Sequence, residues 1–245
     1  LKSSPRISKR KRILLLKRFI RGDTAKNAAE ECKVDKNTAN LYFNHFRESI
    51  YDAYSKAPYF TGEVEMDTKL FGKRKKSRDY EAKVKRNIKA YGDPNYKAKK
   101  TLKKKPVKNM EVFGIQRRGG DVYTQIIEKA DKDTLNAIIG LVVAPKTIIY
   151  TDKWKGFNDL EIQGYTHKEV NHSMGMTEKV GREGIHTNNI ESFWSHCERM
   201  SRRFISVRRR TFALHLKEWE FRWNHRKAIK KDGEKEMLKI LKKIL

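Results

Sequence analysis

Three acids stand apart in a strongly basic chain: Asp67 in Val64-Glu65-Met66-Asp67, Asp152 in Ile148-Ile149-Tyr150-Thr151-Asp152, and Glu191 in Asn188-Asn189-Ile190-Glu191-Ser192-Phe193-Trp194. The two aspartates follow apolar stretches and read as strand ends. Glu191 falls on the first turn of an apolar helix, where folding offers no evident reason for an acid. Their combination points to phosphodiester chemistry, which needs charge stabilised on both the attacking and the leaving oxygen. Two divalent ions about 4 Å apart do this. Mg²⁺ (or Mn²⁺) is hard and prefers carboxylate oxygens. Asp67, Asp152 and Glu191 are therefore the expected catalytic residues and the expected ligands of two ions.

The bulk charge agrees with a nucleic-acid substrate. The 245 residues include 57 Lys and Arg against 30 Asp and Glu, a formal charge of +27. Neutralising phosphates releases counterions, so such a surface favours a polyanionic partner, here nucleic acid. Cys32 and Cys197 form no CxxC pair, which argues against a zinc ribbon or a disulfide framework and for two buried thiols in a reducing compartment. The seven histidines form no HExxH grouping. No apolar run approaches the roughly 18 residues of a membrane span, and no signal-peptide core opens the chain. The expected location is the cytoplasm and nucleoid of a bacterium, or the nucleus of a eukaryote. A start at Leu1 rather than Met reads as a cut-short N-terminus.

Those acids need elements to position them. Residues 9–50 read as three helices: one ending at Gly22, one capped by Thr24 over Ala25 to Cys32, and one capped by Asp35. Ala39, Tyr42, Phe43, Phe46 and Ile50 form a buried stripe on the third. This is a helix-turn-helix plan spanning 1–56, with Lys36, Asn37, Asn40 and Asn44 off the stripe and free to contact DNA. Val64 to Phe71 reads as a strand with Val64 and Met66 on one face and Glu63, Glu65 and Asp67 on the other. Residues 73–108 carry 16 Lys or Arg against 3 Asp or Glu, a net of +13. This basic insert cannot bury much; its Arg74, Lys75, Lys76, Lys103, Lys104 and Lys105 are expected to bind DNA.

Beyond the insert, two strands flank Gly119-Gly120 as a hairpin. A helix over 131–142, strands at Thr147–Thr151 and Tyr165–Val170, and a helix from Asn188 bearing Ile190, Phe193, Trp194, Cys197 and Phe204 follow. Phe212, Leu216, Trp219 and Trp223 mark a last long helix. Met237, Ile240, Leu241 and Ile244 make 231–245 an amphipathic tail helix that docks or dimerises. The order suits an α/β, ribonuclease-H-like mixed-sheet domain over 57–230, in which adjacent strands and a later helix bring three acids to one spot. His167, His172 and His186 lie near that spot in sequence, and His172 and Asn188 are expected to contact DNA there. Trp154 could stack on a base, while core packing is expected for Trp194.

Seven ordered segments carry a family resemblance. They are Tyr59 to Asp67, Val112-Phe113-Gly114-Ile115 with Arg117-Arg118-Gly119-Gly120, Tyr150-Thr151-Asp152, Gly164-Tyr165-Thr166-His167, Val170-Asn171-His172-Ser173, His186 to Trp194, and Leu216 to Asn224. Together with the helix-turn-helix they make residues 9–227 resemble the Merlin-type group of DDE transposases of bacterial insertion sequences. The resemblance implies that Asp67, Asp152 and Glu191 are the DDE triad. It also implies Mg²⁺-dependent cleavage of double-stranded DNA at terminal inverted repeats, then strand transfer into target DNA; because two ends must be handled together, a homodimer is expected. The chain departs from the group's pattern after Asp67: Thr68, Lys69-Leu70 and Gly72-Lys73 stand where a second acid, an aromatic and a Gly-Gly pair are usual. Some relatives carry an N-terminal zinc ribbon; none is visible in these residues, and a cut-short start would hide one. Two other readings share this fold: a host-adopted DNA-binding protein without catalysis, and a nuclease or resolvase without strand transfer. The presence of all three acids favours the transposase.

Overall fold

The computed structural model describes residues 7–72, 110–152, 157, 160, 164–170, 186–203, 207, 209–227 and 233–245. Helix α1 (Lys9–Arg21) starts where Ser8 Oγ accepts the Lys11 N–H and stops at Gly22, whose φ of 81° opens the left-handed conformation. Thr24 caps α2 (Ala25–Cys32), and Asp35 caps α3 (Lys36–Tyr54) through the N–H groups of Asn37 and Thr38. The apolar stripe of α3 is buried against Leu15, Phe19 and Ala28. These helices precede the sheet and share a core with Phe221, Met237 and Leu241 from the end of the chain.

Five strands follow among the described residues: β1 (Glu63–Phe71), β2 (Met110–Arg117), β3 (Val122–Ile127), β4 (Ile148–Asp152) and β5 (Thr166–Val170). They form one mixed sheet in the order β3-β2-β1-β4-β5. The β1-β2 and β2-β3 pairs are antiparallel, whereas β1-β4 and β4-β5 are parallel. Helix α4 (Lys132–Val142), capped by Asp131, covers the face bearing Val64, Met66, Phe113, Ile115 and Ile149. Helices α5 (Asn188–Ser201) and α6 (Arg209–Asn224) cover the opposite face through Ile190, Phe193, Trp194, Leu216 and Trp219. The alternation expected for β1 is present, and α5 covers part of its polar face: Glu65 is fully buried, whereas Glu63 and Asp67 are half-buried.

Helix α6 is buried more completely than its apolar residues foretell. Lys217, Glu220 and Asn224, spaced i, i+3, i+7, face the outer edge of β3. The Asn224 amide accepts from Val122 N–H at 2.8 Å and donates to its carbonyl at 2.9 Å. Glu220 accepts from Thr124 N–H at 2.9 Å, and Lys217 donates to the Thr124 carbonyl at 3.0 Å. Side chains thus stand in for a sixth strand and satisfy an edge that would otherwise invite pairing. On the other side of α6, Glu218 accepts from Arg47 of α3 at 2.7 Å and from Arg222 at 2.9 Å. Arg222 donates onward to the Ile20 and Phe19 carbonyls that end α1. Burial opposes ionisation of Glu218, yet the guanidiniums of Arg47 and Arg222 hold its pKa at about 2. One helix therefore bolts the N-terminal helices to the sheet.

The amphipathic tail helix α7 (Glu234–Ile244) docks within the chain. Met237 and Leu241 join the core of α1 and α3, and Glu234 pairs with Arg21 at 2.8 Å. Cys32 and Cys197 are free and buried, as expected. No described helix is long and apolar enough to cross a membrane.

Candidate active site

Strands β1 and β4 run parallel through the pairs Glu63–Ile148, Val64–Ile149 and Glu65–Tyr150. Two residues further along that register, Asp67 comes beside Asp152. Pleat alternation puts both on the face that α5 covers. Asp67 is half-buried, and its pKa is raised to about 6 by burial and by the neighbouring charge of Asp152. Its oxygens are held in place: Thr68 N–H donates to Oδ1 at 2.7 Å, and Trp194 Nε1 donates to Oδ2 at 2.9 Å. Both bonds favour the charged form and moderate the rise.

The third acid arrives on α5. That helix lays Ile190, Phe193, Trp194, Cys197 and Met200 on the sheet, while Glu191 is exposed. Trp194 reaches Asp67, and Glu198 reaches Lys69 of β1 at 2.9 Å. Glu191 precedes these two by three and seven residues, so it occupies the same flank of the helix, one turn nearer its start. Thr187 Oγ1 donates to its Oε1 at 3.2 Å. The first turn carries the positive end of the helix dipole, so an acid there does have a folding rationale that sequence reading overlooked. Among the described residues, no three His, Cys, Asp or Glu side chains converge closely enough to form a metal cage. The arrangement is two adjacent strand-end aspartates and a glutamate on the flank of the covering helix.

Residues 59–224 match the ISXO2-like transposase domain. The chain belongs to this transposase family. An uncharacterized transposase-like protein of Haemophilus influenzae is 31% identical over 124 residues, which is 51% of this chain and 93% of that protein. Among solved structures, a Mos1 transposase paired-end complex with left transposon end aligns over 95% of this chain and 82% of its own. The identity is 15% and the TM-score 0.28, a likeness too slight to carry any weight. The resemblance to a DDE-type transposase carried by the motifs is therefore borne out. The matched segment of this transposase runs from the entry to β1 through α6 and contains all three acids.

The remaining candidate residues of the transposase are scattered. Lys36, Asn37 and Asn40 are exposed on the first turns of α3. Asn44 is half-buried, and its side-chain oxygen lies 3.4 Å from Arg47 Nη1. Asn188 is exposed at the first position of α5, beside Glu191. Arg74, Lys75, Lys76, Lys103, Lys104, Lys105, His172 and Trp154 lie outside the described residues. His167 exchanges a hydrogen bond with Thr151 at 2.8 Å, and His186 Nδ1 sits 3.4 Å from Glu65. Trp194 does more than pack, since it orients Asp67. Glu65, two residues before Asp67 and fully buried, went unnoticed among the acids; its place on the same strand face was the available signal.

Proposed function

We propose that this transposase is a DDE enzyme that cleaves DNA at the terminal inverted repeats of its element and joins the ends to target DNA. The observation that carries the reading is the β1-β4 register, which brings Asp67 and Asp152 side by side beneath the helix bearing Glu191. The strand order β3-β2-β1-β4-β5, with parallel pairing on one side of β1, supports a ribonuclease-H-like domain.

The donor set suits a hard divalent cation: burial, together with the neighbouring Asp152 carboxylate, raises Asp67 to about 6, and a cation would relieve the repulsion between the two acids. Asp67, Asp152 and Glu191 would hold two Mg²⁺ (or Mn²⁺) ions, which when bound supply charge stabilisation at the attacking and leaving oxygens. The protein's own share is positional. Trp194 and the Thr68 N–H fix the Asp67 carboxylate, and the sheet fixes Asp152 relative to it. In the first step, water attacks a phosphorus at the element end, and the leaving oxygen becomes a free 3′-hydroxyl. In the second, that hydroxyl attacks a target phosphodiester, forming one P–O bond as another breaks. Lys36, Asn37, Asn40 and Asn44, on a helix-turn-helix within 1–56, would bind the repeats, aided by Asn188 and His172. The basic insert 73–108 would bind phosphates. Two ends must be processed together, so the active form would be a homodimer.

The test is cleavage and strand transfer on duplexes carrying the element's ends, in Mg²⁺. Asp152→Asn is expected to abolish both while leaving DNA affinity unchanged. Cleavage that survives this change would remove Asp152 from the triad.

A further inference from the structure

We infer that Glu65 is a positioning residue for the reaction: it fixes the start of α5, and with it Glu191, against the strand that carries Asp67. This rests on the DDE reading above. Glu65 is fully buried, and its carboxylate works as a helix cap supplied from a different element. Its Oε2 accepts the backbone N–H groups of Asn189 at 2.8 Å and Ile190 at 3.0 Å, and its Oε1 accepts from Asn189 Nδ2 at 2.7 Å. The first N–H groups of a helix have no partner within it and are usually met by the N-cap side chain. Here the N-cap residue, Thr187, makes no such bond, because its hydroxyl is turned toward Glu191. The strand takes over the task.

Arg118, in the turn just after β2, completes the clamp. Its Nε lies 3.4 Å from Glu65, and its Nη2 donates to the His186 carbonyl at 2.9 Å. Its guanidinium stands 3.6 Å above the ring of Tyr150 in β4, whose hydroxyl donates to Glu63 at 3.0 Å. Strand β1, the turn after β2 and the start of α5 therefore meet at one carboxylate, with Tyr150 of β4 beneath the guanidinium. A buried charge is retained only when hydrogen-bonded throughout. The Glu65 oxygens are engaged in this way, so the residue acts through Glu191 and not on substrate. Ile190, whose N–H it holds, is the residue immediately before Glu191. Loosening that bond moves Glu191 directly, and a displacement of about 1 Å in a reacting constellation lowers rates by about a hundredfold.

The experiment compares the full-length wild type with Glu65→Gln, Asn189→Ala and Asp152→Asn. It measures amide hydrogen exchange of peptides together with kcat and KM for cleavage of terminal-repeat DNA. In Glu65→Gln an acceptor oxygen becomes an NH₂ facing other donors. Faster exchange confined to residues 186–193 is expected, with kcat lowered about 10–100-fold and KM unchanged. Asn189→Ala removes a single bond and is expected to lower kcat several-fold with the same local signature; it decides the matter if Glu65→Gln does not fold. Unchanged exchange and kcat would overturn the inference. So would exchange that rises across the whole sheet with kcat falling only in proportion to the folded fraction. Cleavage by Asp152→Asn, or none by wild type, would instead sink the DDE reading. The exchange of residues 186–193 would still report on the clamp.

Discussion

Replacing Gly114 by Ala perturbs the candidate site without altering any charged or polar group. Gly114 is the cross-strand partner of Asp67, and its open face is filled by the indole of Trp194. An added Cβ would lie 2.7 Å from Trp194 Cζ2, 2.9 Å from Cη2 and 3.1 Å from Ile190 Cδ1. Carbon–carbon contact is comfortable from about 3.5 Å, so the ring must retreat by about 0.8 Å. The Trp194 Nε1 to Asp67 Oδ2 bond begins at 2.9 Å. A retreat of that size stretches it beyond about 3.2 Å, the outer limit of a sound N–H···O bond. Overpacking costs about 1–3 kcal/mol, or about 2–12 °C in Tm for a chain of this size. A hydrogen bond to a charged acceptor contributes about 1.5–3 kcal/mol, so losing the orientation of Asp67 should lower kcat for cleavage by about ten- to a hundredfold. Differential scanning fluorimetry and single-turnover cleavage are the assays. Adding Trp194→Phe relieves the clash, so the Tm losses of the two changes should be less than additive. Wild-type Tm and kcat in Gly114→Ala would refute the idea that the indole is what holds Asp67.

Two further outcomes follow from the charges buried around α6. Burial lowers the pKa of His196 and of His215 to about 4, with nearby arginines adding to the effect; for His215 this outweighs the Glu218 carboxylate 3.9 Å away. Both are therefore neutral in the fold, and the stability this represents is present above the unfolded value of about 6.5 and drains away as pH falls toward 4, up to about 3 kcal/mol for His215. Glu218, held at about 2, contributes stability above the ordinary carboxylate range that is lost as pH falls through 4.5 toward 2. Urea midpoints should thus drop from pH 7 to 4 and again below it, and His215→Asn should flatten the first drop; a pH-independent midpoint would contradict the assignment. At the sheet edge, Asn224→Leu strands the Val122 N–H and carbonyl, at about 1–3 kcal/mol for each group. It should lower Tm and produce concentration-dependent light scattering, and an unchanged, monodisperse protein would show that the edge needs no cover.

Much of the architecture was legible because local rules and tertiary packing agree. Gly22, Thr24, Asp35 and Asp131 mark helix boundaries where their backbone freedom or side-chain oxygens place them. The stripe Ala39 to Ile50 is buried as its spacing requires. The candidate acids were legible for a different reason: a few carboxylates at element ends stand out against a charge of +27. The residues around them were not. Glu65 reads as one more acid on an open strand face until α5 covers it. Lys217, Glu218, Glu220 and Arg222 lie off the apolar stripe of Phe212, Leu216, Trp219 and Trp223, yet all four are buried. Periodicity reports which side of an element is apolar; it carries no information about polar groups that are buried because distant partners satisfy them.

The sequence by itself determined the element order, the caps, the apolar faces, the family motifs and the identity of the three candidate acids, since each depends on residues within a few positions of one another. Tertiary structure alone decided how Asp67 meets Asp152, how Trp194 orients Asp67, and how Glu65 anchors the helix that carries Glu191. It also decided that α6 closes the sheet edge and joins the N-terminal helices to it. Those outcomes depend on parallel register and on hydrogen bonds between residues more than a hundred positions apart. Such pairings exist only once the chain has folded and the water around those polar groups has been excluded.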